Sequence, residues 1–150
     1  MTRRATKIKE FEAENEHVLV LDAGNSLLGD RVFSQESHGA SSIEAMNLLG
    51  YDAMALGRGD LEMGVEELRK RVQEAEFPIL AANLYVEGSG ELLAQDYVTR
   101  RIGGHNVALI GLIESTSAPG VTIRDPLQTL QTLMPEVQAN ADIIILPGTK

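Results

Sequence analysis

The sequence contains no cysteine. Disulfides, thiolate metal ligands and cysteine nucleophiles are excluded together, although this absence alone says nothing about compartment. Basic residues are scarce: 13 Lys and Arg stand against 22 Asp and Glu, for a net charge of -9 and a pI near 4.8. A nucleic-acid binder needs a basic face to displace phosphate counterions, so no nucleic-acid partner is expected. Long apolar runs are missing too. The longest, Val107 to Ile113 and Ile143 to Leu146, fall far short of a bilayer, so no membrane partner is expected. Arg3, Arg4, Lys7 and Lys9 precede His17 with no apolar segment between them, a pattern without a signal peptide that implies a cytoplasmic location. There is no internal repeat and no low-complexity segment. What remains is 43% hydrophobic and 23% charged over 150 residues, the composition of one globular domain spanning 1–150.

Helical and strand periods alternate along the chain, which favours an α/β class. Residues 3–14 predict a helix with Ala5, Ile8 and Phe11 on one face. His17 to Leu21 reads as a buried parallel strand, followed by the small polar loop from Asp22 to Ser26. Ser41 and Glu44 have capping-box spacing, and Ile43, Met46 and Leu49 predict an amphipathic helix stopped by Gly50. Ala53 to Leu56 predicts the next strand, running into Gly57-Arg58-Gly59-Asp60. Val65, Leu68, Val72 and Ala75 mark a helix that ends before Phe77-Pro78, and Ile79 to Ala82 a third strand. Gly88 and Gly90 suggest a hairpin within Tyr85 to Arg101, and Val107 to Ile113 is another strand. Asp125-Pro126 predicts a helix start, with Leu127, Leu130 and Met134 as its apolar face and Pro135 as a kink or restart. Ile143 to Leu146 is the last strand. The candidate functional loops lie at strand ends, where open α/β sheets place their sites.

Three stretches carry a resemblance. Leu21-Asp22-Ala23-Gly24-Asn25-Ser26, the run from Glu44 to Gly57, and Phe77-Pro78-Ile79-Leu80-Ala81-Ala82-Asn83-Leu84 resemble 5'-nucleotidases of the calcineurin-like metallophosphoesterase superfamily in order and spacing. The resemblance covers nearly the whole chain. It implies a truncated α/β/β/α sandwich with a mixed, mostly parallel sheet and a hairpin, and a chemistry built on two divalent metals. Those metals share a bridging carboxylate, activate water and clamp phosphate oxygens. The family draws its ligands from five strand-end motifs: Asp-x-His, Gly-Asp, Gly-Asn-His-(Asp or Glu), an isolated His and Gly-His-x-His.

Position by position, the resemblance implies that this centre is lost. Gly24 is kept, but Asn25 stands where the bridging aspartate would be, and an amide lacks the charge to hold two cations together. Gly57 and Asp60 are kept, while Arg58 replaces the ligand asparagine and Gly59 the catalytic histidine. A guanidinium does not ligate a metal and repels one. Pro147-Gly148 stands where the family places Ser-His, and the first and fifth motifs are expected to fall outside residues 1–150. No cofactor is therefore expected and no residue is assigned as catalytic, with Asn25, Arg58, Gly59 and Asp60 as vestigial motif positions.

The remaining features have plainer explanations. His17, His38 and His105 lack any ligand spacing and read as surface or loop residues. Gly57-Arg58-Gly59 lacks the third glycine of a dinucleotide loop, with Glu62 in its place. Arg58 either marks an anion site or pairs with Asp22 or Asp60, and the adjacent carboxylates favour pairing. Asp22, Asn25, Asp60 and Asn83 either line a ligand pocket with Arg58 or cap local backbone groups. The expectation is a catalytically degenerate, non-enzymatic binding or structural module. Two alternatives stay open: a phosphoric ester hydrolase completed by a partner chain, and a metal-free phosphate- or nucleotide-binding module using Arg58. A homodimer is expected, because His17 to Leu21 would become an uncovered sheet edge, and a partner protein or anionic small molecule is compatible with the reading.

Overall fold

Short apolar runs separated by amphipathic stretches become strands alternating with helices in the computed structural model, which describes residues 2–28 and 36–148. In chain order these are α1 (Thr2–Glu14), β1 (Leu21–Asp22), α2 (Ala40–Leu48), β2 (Ala53–Ala55), a 3-10 turn at Arg58–Met63, α3 (Val65–Glu74), β3 (Ile79–Leu80), β4 (Leu84–Val86), β5 (Tyr97–Ile102), β6 (His105–Ile110), β7 (Val121–Ile123), α4 (Pro126–Asn140) and β8 (Ile143–Ile145). The strands β1-β2-β3 form one parallel sheet, in which Met54 stands opposite both Asp22 and Ile79. A second sheet has the order β5-β6-β8, with β5 and β6 antiparallel and β6 and β8 parallel. Strands β4 and β7 pair antiparallel. No helix among the described residues is long and apolar enough to cross a membrane.

The layering follows from the period of two along each strand. In the first sheet Met54 and Ile79 face one way and join Ile43, Met46 and Leu68 of α2 and α3. Their neighbours Ala53 and Leu80 face the other way, onto Val107 and Leu109 of β6. The alternate β6 residues, Ala108 and Ile110, face outward onto Val137, Leu130 and Leu133 of α4. Helices, sheet, sheet and helix are thus stacked in the α/β/β/α order. Both central strands are buried on both faces, which is why they read as continuous apolar runs rather than alternating ones. Gly111 lies where the sheets meet: Ala82 N–H donates to its carbonyl at 2.8 Å, and a side chain there would run into the Leu80 backbone.

Several expectations shift. The capping box at Ser41 does not form. Gly39, in the left-handed region at φ 82°, is the N-cap without a side-chain bond, and Ser42 lies inside the helix with its hydroxyl on the Leu27 carbonyl at 2.9 Å. The strand at His17 to Leu21 shortens to Leu21–Asp22, because upstream of it Val20 bonds to Asp52, donating to its carboxylate and accepting from its N–H. Gly88 and Gly90 do close a short hairpin, with Val86 N–H donating to the Glu91 carbonyl at 2.8 Å and Leu93 N–H to that of Leu84 at 3.0 Å. The Leu84 to Val86 strand also pairs with β7, however, a strand the sequence pattern does not announce. The longer hairpin closes through Gly103-Gly104. Asp125 caps α4 as expected, accepting from Gln128 N–H at 2.8 Å, but α4 continues through Pro135. Its buried face is Leu130, Leu133 and Val137, and Leu127 is 62% exposed.

Candidate functional site

The loops after β1 and β2 cross at the carboxyl end of the parallel sheet. The crossing is close enough to require glycine: a side chain on Gly24, at φ 103°, would sit 2.6 Å from the Gly57 nitrogen. Asn25 follows in the left-handed region at φ 58°, a conformation asparagine tolerates better than most residues.

Asp60 organises this crossing. Its side chain is fully buried, and it accepts backbone N–H bonds from Asn25 and Gly57 on Oδ2, at 2.8 and 2.9 Å, and from Leu27 on Oδ1 at 3.0 Å. Burial pushes its pKa above the ordinary 3.8, with the nearby Asp22 charge adding to the rise and the three amides opposing it. Asp22 accepts from Gly24 N–H and the Ser26 hydroxyl, both at 2.9 Å. Asn25 Oδ1 accepts from Gly59 N–H at 2.6 Å, locking the first loop onto the second. Asn83 is fully buried; its amide donates to the carbonyls of Ile113 and Arg124 at 2.8 and 2.9 Å, and its Oδ1 accepts from Ile113 N–H at 2.9 Å.

Of the sequence-derived candidates, Asp22, Asn25, Gly59 and Asp60 are brought together, but the side-chain oxygens accept from backbone N–H groups of the two loops and from the Ser26 hydroxyl. Asn83 is a structural tie under the 113–124 stretch. Arg58 does not pair with Asp22 or Asp60 as the adjacent carboxylates suggested. It is exposed and makes no ion pair within 4.0 Å among the described residues, because Asp60 has turned inward to the amides of its own loop crossing. The guanidinium instead lines a cleft of about 330 Å³ with Leu61, Glu62, Gly64, Thr116, Ser117, Ala118 and Pro119. Thr116 and Ser117 escape a motif search; the signal that points to them is their place just past the carboxyl end of an apolar strand. A larger cleft of about 420 Å³ beside α4 is lined by none of the candidates, and its Arg124 stacks on the Tyr85 ring at 3.8 Å.

The donor set does not suit two divalent cations. No three His, Asp or Glu side chains among the described residues come together as a ligand group. The His17 ring packs beside Gly103, and His105 faces Asp142 at 4.0 Å.

The layered fold and its crossed strand-end loops are those of a metallophosphoesterase. No family model matches the chain, but individual proteins do. It is 37% identical to the snake venom 5'-nucleotidase of Gloydius brevicauda over 142 residues, covering 87% of this chain and 24% of that protein. The 5'-nucleotidase precursor of Thermus thermophilus superposes with a TM-score of 0.82 at 26% identity, over 97% of this chain and 30% of its own. The calcineurin-like phosphoesterase YfkN of Bacillus subtilis shares the fold, with a TM-score of 0.81 at 22% identity over 100% of this chain and 53% of its own. The chain is a 5'-nucleotidase-like segment of the calcineurin-like metallophosphoesterase family. It spans about a quarter of the length of the curated relatives it matches.

Proposed function

We propose that this segment is a catalytically degenerate member of its family, a binding module without the two-metal hydrolytic centre. The observation that carries this reading is the loop crossing itself. Asn25, at the bridging-ligand position of the Gly-Asp motif, holds Gly59 N–H at 2.6 Å instead of offering a charged oxygen, and Asp60 gives its carboxylate to three backbone amides. Arg58, at the ligand asparagine position, adds a positive charge on the exposed side. Two cations a few ångströms apart need anionic bridging oxygens to offset their repulsion, and this arrangement supplies none. The relatives' name supports the competing reading of a phosphoric ester hydrolase, with metal ligands supplied from outside this segment.

The purified chain is expected to retain no divalent metal pair after dialysis against manganese, by plasma emission, and to hydrolyse neither AMP nor p-nitrophenyl phosphate above background. Asn25→Asp is expected to leave both results unchanged: it returns one bridging oxygen while Arg58 still opposes the cations and Gly59 still lacks an imidazole. Two retained equivalents, or metal-dependent turnover in either protein, would overturn the proposal in favour of the hydrolase.

A further inference from the structure

We infer that the cleft between the Arg58 turn and the Thr116–Pro119 loop is a metal-free binding site for a phosphate group. The inference rests on the reading that no metal pair occupies the loop crossing. In place of cations the chain presents one fixed positive charge, and three observations direct that charge at a ligand. Arg58 is exposed and without an ion pair among the described residues, because the oxygens of Asp22 and Asp60 are already engaged by amides and a hydroxyl. The facing loop is rich in unspent donors: among the described residues, no backbone N–H between Glu114 and Gly120 and neither hydroxyl of Thr116 and Ser117 makes an intramolecular hydrogen bond. The loop is nonetheless held in place, tied beneath by Asn83 to Ile113 and Arg124.

A guanidinium facing hydroxyl and amide donors is the donor set that phosphate oxygens take, since a phosphate accepts several hydrogen bonds and Arg engages two oxygens at once. The cleft's volume of about 330 Å³ suits a small molecule rather than a polymer. One feature of the lining opposes an anion: Glu62 shares the cleft. It sets the sign of an independent test, because removing its charge strengthens phosphate binding if the ligand sits where proposed.

The experiment is calorimetric titration of the chain in EDTA and low salt, with inorganic phosphate, AMP and adenosine as separate probes. Saturable binding of phosphate and AMP is expected, weakening as salt rises. Arg58→Ala is expected to weaken it by roughly tenfold or more, Arg58→Lys by less because charge survives without the fork, and Glu62→Gln to strengthen it a few-fold. Arg58 and Glu62 are exposed or at the cleft rim, and circular dichroism checks that the variants stay folded. Equal affinity for phosphate and AMP assigns the site to a free phosphate group. Tighter AMP with silent adenosine assigns it to a phosphorylated nucleoside. Binding unchanged in Arg58→Ala, adenosine binding as tightly as AMP, or no saturation with either anion overturns the inference. Binding seen only when EDTA is replaced by manganese overturns the reading of a metal-free loop crossing as well, so the two failures are distinct.

Discussion

Asp60→Ala is expected to lower folding stability by about 3–6 kcal/mol, a large fraction of the stability of a typical domain. The N–H groups of Asn25, Leu27 and Gly57 lose their acceptor at once, those of Leu27 and Gly57 buried and that of Asn25 part-buried, and each orphaned buried donor costs about 1–3 kcal/mol. No water reaches a side chain with zero exposure to replace the lost oxygens without rearrangement. Asp60→Asn keeps one acceptor oxygen but turns an NH2 toward an N–H donor, so an intermediate loss of about 2–3 kcal/mol is expected. Urea unfolding of the three proteins gives the ordering, and a loss below about 1 kcal/mol in Asp60→Ala would contradict it. The pH dependence has a definite sign. Because burial raises the folded pKa above 3.8, the folded state holds the proton more tightly than the unfolded state. This group's contribution is therefore complete below 3.8 and declines as pH rises through its elevated folded pKa. Asp60→Asn lacks that decline, so the stability gap between parent and variant narrows with rising pH.

How far the sequence carried depended on how local each cause was. The places of β2 and β3 were legible, because uninterrupted runs such as Ala53 to Leu56 have no polar face to give to solvent, whereas His17 to Leu21, read as a buried strand, is exposed at His17 and half-buried beyond it. The site's position was legible too, since Gly24 lies in the loop after the first predicted strand and Gly57 ends the Ala53 to Leu56 run, and the two mark where these loops cross. What decided the site's character was less local. The alternatives for Arg58 turned on where Asp60 points, and that is set by the amides of Asn25 and Leu27, more than thirty residues away. The Ser41 capping box had the right spacing, but Gly39 already turned the chain and Ser42 was taken by the Leu27 carbonyl. Arg71 is another such case. No motif in the sequence singles it out, yet it is buried and its guanidinium holds the carbonyls of Ser37 and His38 together with Glu74. Pairing of β4 with β7 joins segments separated by the entire β5–β6 hairpin, so no short-range turn signal marks it.

Asn83→Asp is expected to be at least as damaging as Asn83→Ala, reversing the usual ranking in which the isosteric change is the milder one. Asn83 uses both ends of its amide in a dry site: the NH2 donates to the carbonyls of Ile113 and Arg124, and the oxygen accepts from Ile113 N–H. Alanine orphans one N–H and two carbonyls, for an expected loss of about 2–4 kcal/mol, the carbonyls costing less because each has a second lone pair. Aspartate keeps the acceptor for Ile113 N–H but directs its other oxygen at two carbonyl oxygens. It must either bury an unpaired charge or take up a proton, for about 3–5 kcal/mol at neutral pH. The protonated acid regains one O–H donor, so the deficit of Asn83→Asp shrinks on acidification while that of Asn83→Ala has no such component. Urea unfolding at neutral and acid pH separates the two. Because Asn83 fastens both ends of the 113–124 stretch, both variants should also speed amide hydrogen exchange in that loop ahead of global unfolding. Full parental stability in Asn83→Asp would show that the amide nitrogen's two bonds do not hold the loop, and the facing wall of the Arg58 cleft would then need another anchor.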